Sequence, residues 1–190
     1  MKTILAKPST GLYPVPVILV TARDGEGNDN VITLAWNGVI SSDPPSISIS
    51  VRPSRHTHPM LLSNKVFGVN IPTRAQLEIV DYIGTHSGSK VDKFSETGLT
   101  RFEADIVSVP LIKDCPVNLE CRIIETFEQG THTVFFGEVI AEHVSNEYLI
   151  DGTTIDHKKA DPILYCSGKG YFSLGDYQQP YGFSLKQDKE

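Results

Sequence analysis

Ser50, Arg52, Arg55, His56 and Thr57 place guanidinium, imidazole and hydroxyl groups within the single stretch PSISISVRPSRHT. Guanidinium and hydroxyl donors complement phosphate oxygens, so the chemistry these residue types suggest is anion binding without a Walker loop. Ile47, Ile49 and Val51 alternate with Ser46, Ser48, Ser50 and Arg52, the period-two pattern of a strand with one buried and one polar face. Pro53 cannot donate to a ladder, so the strand is expected to stop and turn there. That turn brings Arg55, His56 and Thr57 beside the end of the hydroxyl row. The same letters also suit an edge strand with a solvated face and a basic surface turn, so the rest of the chain has to separate the two readings.

Two other polar stretches interrupt apolar surroundings: Asn30–Trp36 and Ser87–Phe94. With the anchor stretch they suit a ligand that has an aromatic ring and a phosphate tail. Trp36 would supply a planar wall, and Arg52, Arg55, Thr57 and Lys93 would take the negative end. A core tryptophan and a solvated lysine are the plain alternatives. Cys115, Cys121 and Cys166 fit neither a CxxC motif nor a zinc-ligand spacing, so they read as ordinary reduced thiols without chemistry. No metal ligand set and no catalytic acid or base is assigned.

The elements that must position these groups are mostly strands. Val15–Arg23 is apolar and β-branched, closes on the turn-rich Asp24–Asn30, and is followed at once by Val31–Trp36, a hairpin pattern. Asp43-Pro44-Pro45 separates it from the anchor strand. His58–Asn64 is short and weakly helical, and Lys65–Ile71 is a strand ended by Pro72. Thr73-Arg74-Ala75-Gln76 matches a capping box, with Leu77, Val80 and Ile83 at helical spacing up to Gly84. Lys90–Thr97 ends at Gly98, a glycine stop. Ile106–Ile112 is strand-like, and Val117–Glu128 with Thr131–Val144 forms a long hairpin turning at Gln129-Gly130. Tyr148–Ile150 and Pro162–Cys166 are short extended pieces, and 167–190 reads as a C-terminal arm. Many strands with one or two short helices predict a mainly β, closed or partly closed antiparallel barrel.

At 190 residues the chain is expected to form one domain. Lys and Arg number 17 against 23 Asp and Glu, a net charge of −6, and no basic block occurs. Nucleic-acid binding, which rests on clustered basic residues, is disfavoured. The apolar run Val17–Val20 is too short for a membrane span or a signal core, so a soluble, cytoplasmic protein is expected.

With these residues in place, the chain resembles the flavin reductase-like proteins with an FMN-binding split barrel, above all their flavoredoxin-type branch. The resemblance covers about residues 10–145. It is carried by Pro14–Thr21, Asn30–Trp36, Pro44–Val51, Arg55-His56-Thr57, Phe67–Pro72, and Ser87-Gly88 followed by Asp92-Lys93-Phe94. It implies a Greek-key-like antiparallel split barrel that holds FMN noncovalently near a homodimer interface. By the same resemblance Thr33, Leu34, Ala35 and Trp36 line the flavin ring with Asn30 close by, and Asn70 and Ile71 lie beside it. Ser50, Val51, Arg52, Arg55, His56, Thr57, Ser87, Gly88 and Lys93 approach the ribityl chain and phosphate. His132 reaches the flavin from the long hairpin, and Tyr165 from the C-terminal part. The implied activity is electron transfer from NADH or NADPH through FMN to flavin, ferric iron or another acceptor. A flavoredoxin-like carrier fed by a redox-protein partner, and a flavin binder without turnover, stand as alternatives.

Overall fold

A computed structural model describes residues 7–184. The strands are β1 (Val15–Pro16), β2 (Ile18–Arg23), β3 (Asp29–Leu34), β4 (Asn37–Ser42), β5 (Pro45–Val51), β6 (Val66–Ile71), β7 (Arg101–Glu103), β8 (Pro110–Ile112), β9 (Val117–Gln129), β10 (His132–Val144), β11 (Leu149–Ile150), β12 (Thr154–Ile155), β13 (Ile163–Cys166) and β14 (Gly170–Ser173). The α-helices are α1 (Thr57–Asn64), α2 (Leu77–Thr85), α3 (Lys93–Thr97) and α4 (His157–Ala160).

Seven strands form one sheet in the order β3-β2-β6-β9-β10-β5-β4, antiparallel at every pairing. Its end strands, β3 and β4, are consecutive in the chain and joined only by Ala35 and Trp36. Two strands so tethered can occupy opposite ends of a sheet only if the sheet curls until those ends meet, which makes it a barrel. The expected split-barrel architecture is present.

The apolar run of β2 follows from burial on both of its faces. Ile18, Val20 and Ala22 join Ile49, Phe67, Val69 and Phe135 in the barrel core. Val17 and Leu19 join Val80 and Ile83 of α2 and Phe94 of α3 in a second core. That second layer fixes α2 and α3 over β2 and β3. The capping box forms as the sequence predicts: the Thr73 backbone N–H donates to Gln76 Oε1 at 2.9 Å, ahead of α2. Asp92 caps α3 by accepting from the N–H groups of Phe94 and Ser95, and Gly98, at φ 68°, stops it. The long hairpin turns at Gly130, whose φ of 56° suits glycine.

Three expectations are corrected. β4 intervenes between the expected hairpin and the break at Asp43-Pro44-Pro45, so the anchor strand β5 is flanked by β4 and β10 and is not an edge. Of Ile106–Ile112 only Pro110–Ile112 is strand, because the fully buried Glu120 carboxylate takes the N–H groups of Asp105, Ile106 and Val107 out of any ladder. Within the stretch read as a C-terminal arm, β14 pairs with β13; residues 185–190 lie outside those described. Helices α1 to α4 exceed the expected one or two, the extra turn α4 being capped by Asp156. No helix among the described residues is long and apolar enough to cross a membrane.

Candidate functional site

β3, at one end of the curled sheet, and β5, next to the other end strand β4, form no ladder with each other. The seam between them is a cavity of about 310 Å³ walled by Ile32, Thr33 and Leu34 on one side and Ser50 and Val51 on the other. Its mouth carries Ala35, Trp36, Arg52, Arg55 and His132, with Gly84 of α2 behind. Trp36 is not a core aromatic. It is 42% exposed, and its ring centroid lies 4.5 Å from that of His132 at an interplanar angle of 34°. Burial, then the nearby Arg52 and Arg55, holds the His132 imidazole below its ordinary value.

Beyond Ile32, Arg55 and Gly84 the seam continues into a smaller corner of about 150 Å³. Thr57, at the start of α1, is 1% exposed there, and its Oγ1 accepts a hydrogen bond from the Asn30 side-chain amide at 2.7 Å. A hydroxyl that accepts in this way keeps its own hydrogen for a ligand. Lys93, far from being solvated, is buried and donates to the carbonyls of Val31 (2.9 Å) and Ile83 (2.8 Å). An ammonium has three hydrogens, so one remains for the corner. Burial first, then Arg55, lowers its pKa to about 8. Among the described residues no carboxylate lines this corner, and no ion pair uses Arg52, Arg55 or Lys93.

Gly88 forms the opposite wall. A Cβ there would come 2.1 Å from Asn30 Oδ1 and 3.0 Å from His56 Cδ2, so only a residue without a side chain lets the Ser87–Ser89 loop close on Asn30. A seam that mixes Ile32, Leu34 and Val51 with Thr33, Ser50 and two arginines, has an indole at its mouth and runs into a carboxylate-free corner of unpaired cations fits a planar heterocycle carrying a phosphate.

The structure therefore brings together Asn30, Thr33, Leu34, Ala35, Trp36, Ser50, Val51, Arg52, Arg55, His56, Thr57, Ser87, Gly88, Lys93 and His132. Within this set the Thr33 hydroxyl is committed to the carbonyl of Val80 at 2.6 Å. Three expected residues stand apart from the cleft. Asn70 is fully buried, its amide spent on Leu19 O, Ile112 N and Asn118 Nδ2. Ile71 pairs with Val117 at the end of β6. Tyr165 pairs with Val15 and Tyr171 in a separate sheet. The hydroxyl row is also shorter than its pattern suggested: Ser46 donates to Pro44 O and Ser48 reaches toward Gly38 O, leaving Ser50 in the seam. Sequence reasoning missed Ile32, Ser54, Gly84 and His86. For Gly84 a signal existed, since a glycine inside a good helical pattern marks a close approach; its Cβ would lie 3.3 Å from that of Thr33.

Comparison with known proteins gives a consistent answer. Residues 10–174 match the flavin reductase like domain. The flavoredoxin of Desulfovibrio vulgaris (Miyazaki F) superposes with a TM-score of 0.91 at 32% identity, over 98% of this chain and 100% of that one. A flavoredoxin from Methanosarcina acetivorans gives 0.90 at 34% identity, over 97% of each chain. The reductase component of an FADH(2)-dependent resorcinol hydroxylase from Rhizobium sp. (strain MTP-10005) is 28% identical over 70% of this chain and 73% of its own length.

Proposed function

Because the chain belongs to the flavin reductase-like family, we propose that the seam and corner bind FMN and that the protein is an oxidoreductase fed by NADH or NADPH, passing electrons to flavin, ferric iron or another acceptor. The single observation that carries the FMN reading is the carboxylate-free corner in which Arg55, Lys93 and the spare hydrogen of Thr57 converge. When bound, FMN supplies the electron-transfer chemistry. This chain's share is binding, orientation and exclusion of water.

Ile32, Leu34 and Val51 give the ring an apolar bed. Trp36 and His132 flank the open side of the seam, where a nicotinamide can approach. Asn30 aims the Thr57 hydroxyl, and the carbonyls of Val31 and Ile83 hold the Lys93 ammonium in place. No acid or base from the protein is required for the electron transfer. A homodimer belongs to the same reading: Trp36 at the cavity mouth and the exposed Val39 and Ile40 of β4 form an apolar surface suited to a second copy.

A second reading, a flavoredoxin-like carrier taking electrons from a protein donor, is favoured by the likeness to two flavoredoxins over nearly the whole chain. Anaerobic mixing of FMN-loaded protein with NADH, and separately with NADPH, distinguishes the two. Rapid bleaching of the flavin supports the reductase, and an unchanged spectrum over minutes leaves the carrier.

A further inference from the structure

Arg52 is the cation of the seam that the FMN reading leaves without an anion. On that reading the phosphate lies in the corner against Arg55 and Lys93. A phosphate monoester carries a charge of about −2 at pH 7, so those two cations offset it. Arg52 lines the seam but not the corner, is exposed, and among the described residues takes part in no ion pair. We propose that Arg52 is a specificity-determining residue that draws ferric iron to the mouth of the seam as an anionic complex, in preference to cationic acceptors, a proposal that rests on the FMN reading.

The backbone on either side of Arg52 fixes its place. The Ser50 N–H donates to the Trp36 carbonyl at 2.9 Å, and the Arg55 N–H to the Arg52 carbonyl at 2.9 Å, so the end of β5 is tied to Trp36 and the turn after it is closed. Among the described residues no carboxylate lines the seam. The acids of the cleft lie beyond the corner, where Asp24, Asp29 and Asp92 line a further basin. Of the acids on the long hairpin, Glu128 acts on His58, whereas the charges acting on His132, at the mouth, are Arg52 and Arg55. Glu125 is in register with Phe136, and Phe136 with Ser48. That places Glu125 two strands from β5, about 10 Å away, a distance over which roughly 0.1 M salt screens it. In a chain of net charge −6 the mouth of the seam is therefore a local positive site, and a cleft lined by one sign of charge concentrates the opposite sign.

Ferricyanide serves as the anionic ferric complex, and hexaammineruthenium(III), of equal and opposite charge, as the cationic acceptor. Two ferricyanide ions each take one electron and become ferrocyanide, two protons pass to the buffer, and the reduced flavin is returned to FMN. FMN-loaded protein is photoreduced without oxygen and mixed with each acceptor, and the ratio of the two reoxidation rates is taken, which cancels any change in flavin content. The ratio of anionic to cationic rate is expected to fall by about tenfold in Arg52→Gln and further in Arg52→Glu. A second arm needs no flavin: Trp36, the sole tryptophan, is quenched in flavin-free protein by iodide and by caesium, each normalised to its quenching of free tryptophanamide. Iodide is expected to quench more strongly than caesium, and that preference to shrink by about twofold or more in Arg52→Gln. An unchanged acceptor ratio in both variants, or equal normalised quenching by the two ions in the unaltered protein, overturns the proposal. If FMN fails to bind the unaltered protein, the FMN reading falls and takes this one with it, and the flavin-free quenching tells the two failures apart.

Discussion

The indole of Trp36 and the imidazole of His132 lie with ring centroids 4.5 Å apart, although one residue joins β3 to β4 and the other begins β10. Trp36 is also the sole tryptophan of the chain, so its emission reports on this contact alone. Burial and the two neighbouring arginines hold His132 below its ordinary value, leaving the ring neutral at pH 7. Trp36 fluorescence is expected to fall as the pH drops, with a midpoint below the usual histidine value of about 6.5, because a charged imidazole quenches an adjacent indole. The step should vanish in His132→Ala. Persistence of the step in that variant would place its origin elsewhere.

On the phosphate reading, Lys93 makes binding pH-dependent in a defined direction. Its pKa is about 8, lowered chiefly by burial, and a bound phosphate raises it by favouring the charged form. Binding therefore takes up a proton above that value. FMN affinity is expected to fall as the pH rises through about 8, while riboflavin affinity, with no phosphate involved, stays nearly flat. Parallel pH titrations of the two ligands check this.

Gly88→Ala is a steric test of the corner. The added Cβ would sit 2.1 Å from Asn30 Oδ1, forcing the loop outward or Asn30 away from Thr57. FMN binding is expected to weaken by about tenfold or more, the cost of roughly one misaligned charge-assisted hydrogen bond. Thermal stability should change little, since the loop is largely exposed.

Glu120 supports the fold rather than the site. Burial pushes its carboxyl up, but the His143 ring, 2.7 Å away, and the N–H groups of Val107, Ile106 and Asp105 outweigh that and hold it below the usual range. A carboxylate with a depressed folded pKa contributes stability above its unfolded pKa and loses it as the pH falls through the folded one. Glu120→Gln is expected to cost about 2 kcal/mol at neutral pH and to flatten the acid limb of the stability curve. Chemical denaturation at several pH values measures both effects.

Much of the barrel is legible in the sequence because its signals are local. The apolar run of β2, the capping box at Thr73 and Gln76 and the glycine at 98 each act within a few residues. β4 escaped notice because it is an exposed edge: Val39 is 83% exposed, so its side chains carry no alternation between core and solvent. The 106–109 segment looked like a strand because nothing nearby announces that a carboxylate from β9 captures the amides of Asp105, Ile106 and Val107. In the site, the anchor residues were readable as candidate phosphate donors from their types alone. Their convergence with Gly88 and Lys93 was not, since α2 and α3 are brought over β3 by a second core assembled from distant segments. That Asn70 lies apart from the cleft was hidden for the same reason, its partners Leu19, Ile112 and Asn118 all lying far away in the chain.

The central claim is that Arg55, Thr57 and Lys93 grip a phosphate. Its most direct measurement is a pair of titrations, FMN and riboflavin, on the unaltered protein and on the Arg55→Ala, Thr57→Ala double variant. A phosphate grip requires FMN to bind the unaltered protein more tightly than riboflavin, and the double variant to lose about a hundredfold in FMN affinity with riboflavin nearly unchanged. Equal losses for the two flavins, or no preference for FMN at the outset, would contradict it.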